Sequence, residues 1–457
     1  MRLLIVSNRL PVALTHRQGE FFLEKSAGGL VSGLSDYLSS LGKSGSDISE
    51  YIWLGWPGIS VKKRHREIVR DKVSQGFDAS PVFLSEKLMD RVYLGFCNKT
   101  IWPLFHYFPT YAVFDSDFWD QYKRVNEIFR DELLSIIRPD DLIWIHDYHL
   151  MLLPEMLREK VTNPIGFFLH IPFPTYEIYR LLPDKSRSGI LNGLLGSDLI
   201  GFHTHDYSQY FLRCVLRILG YEHQMGKIDL PGRVVKVDTF PMGVDYEKFN
   251  KFIPAGPLGN LTVREDVKVV LSVDRLDYSK GILNRLKGFE LFLKRNTEWH
   301  GKVYMSMIVV PSRTGVESYQ QIKRSLDELV GSINGTYGSL NWTPVIYQYR
   351  SLPHETLISM FRMSDVALLT PLRDGMNLVA KEYIASRNDK KGVLILSEFT
   401  GASKELSESI IINSNSIDEI SDAIELALDM NEDEQISRNE AMQKRIKRYD
   451  VTRWATD

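Results

Sequence analysis

The stretch TPLRDGMNLVAKE, residues 370–382, places a carboxylate, a tight glycine turn and a helix start within a few residues of one another. It follows an apolar run at 365–369 with the composition of a short buried parallel strand. Pro371 ends that run, Arg373, Asp374 and Gly375 turn the chain, and the composition favours helix from Met376 onward. Backbone N–H groups at a helix N-terminus lack intrahelical partners and point at an anion placed there. Asp374 and Glu382 beside such a site suit a ligand that carries hydroxyls as well as negative charge. A nucleotide sugar has both: phosphates for the N–H groups, ribose and hexose hydroxyls for the carboxylates. The same residues also fit an ordinary α/β turn, because helix starts favour acids.

Arg275 and Lys280 share one loop directly after another apolar strand. Two cations so placed suit a diphosphate, arginine as a planar fork and lysine as a mobile point charge. Asp274 and Asp277 in the same loop are the local partners that would make them ordinary surface charges. Arg9 and Arg313 each follow a strand, one in each half, and together would clamp a second phosphate. HDYH at 146–149 and HTH at 203–205, with Asp147, have metal-like spacing, so a metallohydrolase is the alternative from another class. No carboxylate cluster is organised around these histidines, and histidines ending strands also hydrogen-bond sugar hydroxyls. There is no Gly-x-Ser-x-Gly elbow and no P-loop with its Gly-Lys-Ser/Thr end. A glycosidase carboxylate pair would leave the Arg and Lys positions without a role.

The elements that must hold these groups form two series. Strands are expected at 2–6, 51–57, 141–145, 165–169 and 198–202, several ending in polar or histidine-bearing loops. SAGGL at 26–30 opens a helix to about 41, where Gly28 and Gly29 permit close backbone approach to a ligand. A further helix is expected over 117–137, and the aromatic-rich segment 93–122 is either core or a sugar-facing wall. PAGPLG at 254–259 has linker composition. A second series follows, with strands at 267–273, 303–310, 345–349, 365–369 and 393–396, and a helical, charged segment at 416–457. The pattern is α/β: two doubly wound domains facing a central cleft, with ligands at the carboxyl ends of the strands.

With 457 residues, the chain has room for two or three domains at roughly 150 residues each. A net charge of -2 supplies no global basic field for nucleic acid or an anionic membrane, so phosphate recognition must be local. The two cysteines, Cys97 and Cys214, form no disulfide or zinc pattern, which fits a reducing cytosol. A secretory signal and a membrane-spanning run of roughly 20 apolar residues are both missing from the pattern.

In order along the chain, these motifs resemble the trehalose-6-phosphate synthases, retaining glucosyltransferases of the GT-B fold. The resemblance runs from SNRLP at 7–11 to RYDVTRWATD at 448–457. Between them lie SAGGLVSGL at 26–34, WPLFHY at 102–107, HDYHL at 146–150, FLHIPFP at 168–174, DRLDYSKG at 274–281 and TPLRDGMNLVAKE at 370–382. It implies two Rossmann-like domains, 1–243 mainly for the acceptor and 244–440 mainly for the donor, and a helical tail, 441–457, that returns to the first domain. The implied reaction takes glucose from UDP-glucose to glucose 6-phosphate, giving α,α-trehalose 6-phosphate and UDP. Arg275 and Lys280 would hold the donor diphosphate, with backbone groups of Asn377, Leu378, Val379, Ala380 and Lys381. Glu382 would take the ribose hydroxyls, Asp374 and His170 the transferred glucose, and Gly28 and Gly29 would close on the donor. Arg9, Trp53, Tyr93, Trp102, Asp147 and Arg313 would form the acceptor pocket. No metal or other cofactor, no nucleic acid and no membrane is implied, and the location is cytoplasmic. A homo-oligomer or a fused or associated trehalose-phosphate phosphatase is compatible with the pattern. The alternative within the fold is another phosphorylated acceptor, as in glucosylglycerol-phosphate synthases or cyclitol-phosphate transferases. Leu94 stands where the family commonly has Asn, which puts the pocket edge in question. Family members usually run several residues past the position of Trp454, which fits either a shortened chain or the front half of a protein with a phosphatase domain behind it.

Overall fold

The computed structural model describes residues 1–25, 33, 34, 37, 38, 48–253, 267–313 and 316–457. Gly28, Gly29, the 254–259 loop and most of the 26–41 helix lie outside the described residues. The chain forms two compact units, Met1–Pro241 and Met242–Asp457.

The first unit contains β1 (Arg2–Arg9), an antiparallel hairpin of β2 (Val12–Arg17) and β3 (Glu20–Lys25), β4 (Glu50–Trp56), β5 (Ala79–Pro81), β6 (Asp141–His146), β7 (Ile165–Leu169) and β8 (Leu199–Phe202). Three more strands follow: β9 (His223–Gln224), β10 (Lys227–Leu230) and β11 (Arg233–Thr239). Its main sheet has the order β5-β4-β1-β6-β7-β8-β11-β10-β9. Pairing is parallel from β5 through β11 and antiparallel for the last two strands. The apolar runs behave as two-sided parallel strands should: β1 is buried from Arg2 through Asn8 and turns outward only at Arg9. The strand order reverses between β1 and β6, so the crevice where ligands bind such sheets lies beyond the carboxyl ends of these two strands.

The second unit contains β12 (Lys268–Arg275), β13 (Val303–Val310), β14 (Val345–Gln348), β15 (Val366–Leu369), β16 (Val393–Ser397) and β17 (Ile410–Ile412). The order β14-β13-β12-β15-β16-β17 is parallel throughout and reverses between β12 and β15. Alternate residues bury on opposite faces: Val270 and Leu368 join Phe289 on one side, Leu271 and Leu369 join Tyr383 on the other. Residues 441–448 are the end of the Glu432–Arg448 helix, a separate helix spans Val451–Thr456, and both fall within the second unit. No described helix is long and apolar enough to cross a membrane.

The strongly apolar strands lie within two residues of their expected ends, apart from β1, which extends three residues further. The helix expected over 117–137 spans Ser116–Leu134. The β2–β3 hairpin, β5, β9–β11 and β17 were not anticipated. Most are short, and β9 and β10 gain their regularity from pairing onto β11 rather than from an apolar run of their own. Residues 90–101 form a wide helical segment that ends with Trp102 N–H donating to Cys97 O. Wide turns of this kind occur often at functional sites.

Candidate active site

In the second unit the groups picked out from sequence collect at the β12/β15 reversal. β12 ends at Arg275, an exposed residue, and the next turn carries Lys280. Gly281 follows with φ +63, and a Cβ there would lie 2.2 Å from Thr370 O, so only glycine fits this approach to the end of β15. Ser279 O accepts from Leu372 N–H at 2.7 Å, which stitches the two loops together. Lys280 Nζ then donates to Asp374 Oδ2 at 2.6 Å, and Asn377 Nδ2 donates to the same oxygen at 3.1 Å. Asn377, at φ 80, caps the Leu378–Ser386 helix by accepting from Ala380 N–H. The Ala380 N–H expected to face a ligand is therefore already bonded, while those of Leu378 and Val379 stand ahead of it in the first turn. Lys381 turns its side chain inward, donating to Met242 O at 2.7 Å and Glu405 Oε1 at 2.6 Å, so only its backbone is left to a ligand. Burial pushes the Glu382 carboxyl up to about 7, against a weaker pull from Lys248.

The carboxylate that accepts from Lys280 is thus not one of the sequence-local acids. Asp274 pairs with Arg285, a wholly buried residue that also donates to Ser272 Oγ, Thr370 Oγ1 and Lys280 O. Burial pushes the Asp274 carboxyl up, opposed by the Arg285 guanidinium. Asp277 takes Arg313 instead, together with the hydroxyl of Tyr319, which donates to Asp277 at 2.8 Å. Arg313, expected at an acceptor phosphate, thus has a side chain only 3% exposed and already engaged by an acid. Arg285 and Tyr319 escaped sequence reasoning because their partners are up to 85 residues away and no spacing announces them, and Asp277, expected to pair within its own loop, takes Arg313.

In the first unit the corresponding groups collect at the β1/β6 reversal and its neighbour β7. The β1–β4 register shifts between Val6 and Arg9, a bulge that brings Arg9 out of the buried strand. Gly55 makes this possible, since a Cβ there would lie 2.7 Å from the Arg9 carbonyl carbon. The Arg9 guanidinium rests over Trp56 at 4.9 Å and interacts electrostatically with Tyr93. Tyr93 stacks on His149 at 5.9 Å, and His149 Nδ1 lies 3.9 Å from Asp147 Oδ2. Arg9, Tyr93 and Asp147 are therefore linked within one unit through His149, which sequence reasoning had placed only in a metal-like pattern. Asp147 has φ 75 and ψ 168, a backbone region that is essentially glycine's own and costs about 1–3 kcal/mol for other residues. Its Oδ1 accepts from His170 N–H at 3.3 Å. Burial lowers His170 to about 3, so the ring is neutral at physiological pH.

Two of the residues expected at the acceptor, Trp53 and Trp102, are buried. Trp53 is 1% exposed and its indole N–H donates to Ser7 Oγ at 2.7 Å; Ser7 Oγ in turn donates to Arg9 O at 2.8 Å. Its link to Arg9 runs through Ser7 and the Arg9 backbone. Trp102 is 5% exposed, stacked on His106 at 4.0 Å. The 93–122 aromatics divide: Phe96, Phe105, Phe118 and Tyr122 are buried with Trp102, Tyr93 is half-buried, and Tyr111 and Phe114 are exposed. Among the histidines of metal-like spacing, His146 Nδ1 is 3.1 Å from His170 Nε2 and His203 meets the His170 ring edge-on at 5.5 Å. Among the described residues no group of three or more His, Cys, Asp or Glu is placed to hold a metal ion.

The model of glycosyltransferase family 20 matches residues 1–457. A bifunctional trehalose-6-phosphate synthase/phosphatase of Thermoproteus tenax is 47% identical over 463 residues, covering 100% of this chain; the chain spans 63% of that relative's length. A solved E. coli structure bound with UDP-2-fluoro glucose is 36% identical, with a TM-score of 0.88 and coverage of 100% of this chain and 97% of the other. An α,α-trehalose-phosphate synthase (UDP-forming) from Burkholderia xenovorans, solved in complex with glucose-6-phosphate, is 33% identical, with a TM-score of 0.87 and coverage of 100% and 98%.

Proposed function

Because the chain belongs to glycosyltransferase family 20, we propose that it transfers glucose from UDP-glucose to glucose 6-phosphate, forming α,α-trehalose 6-phosphate and UDP. Support comes from the names of its relatives and from solved relatives that hold a UDP-glucose analogue and glucose-6-phosphate. The observation that carries the reading is the Lys280–Asp374 junction at the β12/β15 reversal. A cation suited to phosphate and a carboxylate suited to a hexose hydroxyl stand 2.6 Å apart. In a nucleotide sugar the phosphate and the hexose are likewise bonded neighbours.

In this reading Arg275, Lys280 and the start of the Leu378–Ser386 helix hold the diphosphate, Glu382 the ribose, and Asp374 and His170 the glucose. Arg9 and Arg313 take the acceptor phosphate; Tyr93, Trp102 and Asp147 bear on its ring, with Trp53 behind Arg9. For Arg313 this requires exchange of Asp277 for phosphate. The acceptor hydroxyl oxygen bonds to the anomeric carbon as the bond from that carbon to the leaving phosphate oxygen breaks. Its proton passes to a leaving phosphate oxygen, on the same face, so configuration is retained. Negative charge grows on UDP, and preorganised cations there stabilise the transition state. Arg275 and Lys280 supply that positive charge without a metal. Two buried cysteines outside any disulfide and phosphorylated substrates support a cytoplasmic setting. A phosphatase acting on the product, in the same chain or another, is supported by the bifunctional relative.

The decisive experiment incubates the protein with UDP-glucose and a panel of phosphorylated acceptors, with and without EDTA, and follows UDP release. Release with glucose 6-phosphate that survives chelation is expected. No release with glucose 6-phosphate overturns the acceptor assignment, and loss on chelation overturns the metal-free mechanism.

A further inference from the structure

His146 is completely buried at the last position of β6, and its Nε2 has no hydrogen-bond partner among the described residues. An unpartnered buried polar atom costs stability, and a leucine or phenylalanine would fill such a site without that cost. The other ring nitrogen, Nδ1, lies 3.1 Å from His170 Nε2. The next residue, Asp147, accepts the His170 backbone N–H while holding a strained backbone. Two consecutive residues at the end of β6 thus grip His170 by its ring and by its main chain.

A contact between two neutral imidazoles needs one proton between the two nitrogens. Were it on His170 Nε2, His146 would carry its own proton on Nε2, a buried N–H with no acceptor. With the proton on His146 Nδ1, the unpartnered Nε2 is only an unused lone pair. Orphaned buried N–H groups are the rarer and costlier of the two. We propose that His146 is a positioning residue: its Nδ1–H donates to His170 Nε2 and fixes the His170 proton on Nδ1, the nitrogen that then donates to a hydroxyl of the transferred sugar. The second part rests on the role given to His170 above; the first rests on geometry alone. Burial lowers both imidazoles from their ordinary values, which keeps this arrangement neutral and in a single tautomer through physiological pH.

The test joins histidine-selective 15N NMR with kinetics. In the resting protein, His170 is expected to show a protonated Nδ1 and a bare Nε2. His146→Leu is expected to keep or raise Tm, because it removes an unpartnered polar atom, yet to lower kcat at least about tenfold, the usual effect of losing a ligand's supporting partner. His146→Asn, whose amide nitrogen occupies nearly the place of Nδ1, is expected to recover much of that kcat. A His170 proton on Nε2 overturns the inference, as does a leucine variant with parental kcat or an asparagine variant no better than leucine. If the leucine variant does not fold, the proton position in the parent decides. Should the parent release no UDP, the proposed reaction fails, while the NMR result still decides which nitrogen of His170 carries the proton.

Discussion

The two strand-order reversals solve different problems with different materials. At β12/β15 the working groups are ions held by other ions: Lys280 by Asp374, Arg313 by Asp277, and both loops by the buried Arg285–Asp274 pair. At β1/β6 they are mainly stacked rings and a strained main chain: His146 on His170, Tyr93 on His149, Arg9 over Trp56, and Asp147 in glycine's backbone region. In the proposed reading, a compact, highly charged diphosphate meets cations that acids hold in place until the ligand displaces or shares them. A neutral hexose ring would meet hydrogen bonds of defined direction, which packed rings and a constrained main chain suit. Keeping Lys280 beside Asp374 also limits the cost of a buried, uncompensated charge before the donor arrives.

The largest expected effect tests the ionic half. Arg275→Ala should lower kcat by at least about a hundredfold, roughly 3 kcal/mol of barrier, by removing a donor aimed at the leaving group. His203→Ala, which removes only an edge-on ring beside His170, should fall far less. Equal losses in steady-state kinetics would mean that the leaving-group assignment is misplaced and that the two regions do not divide the chemistry as described.

A smaller effect is expected from pH. The Glu382 carboxyl is held up at about 7 by burial, and in the proposed reading its ionised form accepts from the ribose hydroxyls. As pH falls through that value the accepting form is lost, so KM for UDP-glucose should rise, approaching about tenfold per pH unit below it. Glu382→Gln should raise KM at pH 8 and flatten the profile. A parental profile flat from pH 8 to 5.5 would show that Glu382 does not face the donor.

The smallest concerns strain at β1/β6. Asp147→Gly should leave Tm unchanged or raise stability by about 1 kcal/mol, because glycine adopts this backbone freely. It should at the same time impair transfer by removing the carboxylate. A marked fall in Tm on thermal unfolding would show that the Asp147 side chain, rather than its backbone, dominates stability there.

Much of the fold was legible. Ten strands could be placed from apolar runs because strands buried on both faces need them, and parallel strands leave room for helical crossovers between. Short strands such as β9 and β10 were not legible, since their regularity comes from a neighbour. Arg275, Lys280, Asp374 and Glu382 were legible because strand ends and helix starts are local features. The burial of Trp53 and Trp102 was not: tryptophan composition is the same at open and at buried positions, and only the packing around each side chain separates them.

By itself the sequence determined two doubly wound halves, the loops that carry charge and the family those motifs resemble, all properties of local pattern. Only the tertiary structure decided which acid holds which cation. Lys280 bypasses Asp277, three residues away, for Asp374, 94 residues on; Arg313 takes Asp277; and His146 turns from a metal-like spacing to a partner of His170. The reason is geometric. The strand-order reversal sets side by side the ends of strands far apart in the chain, and hydrogen bonds form between neighbours in space.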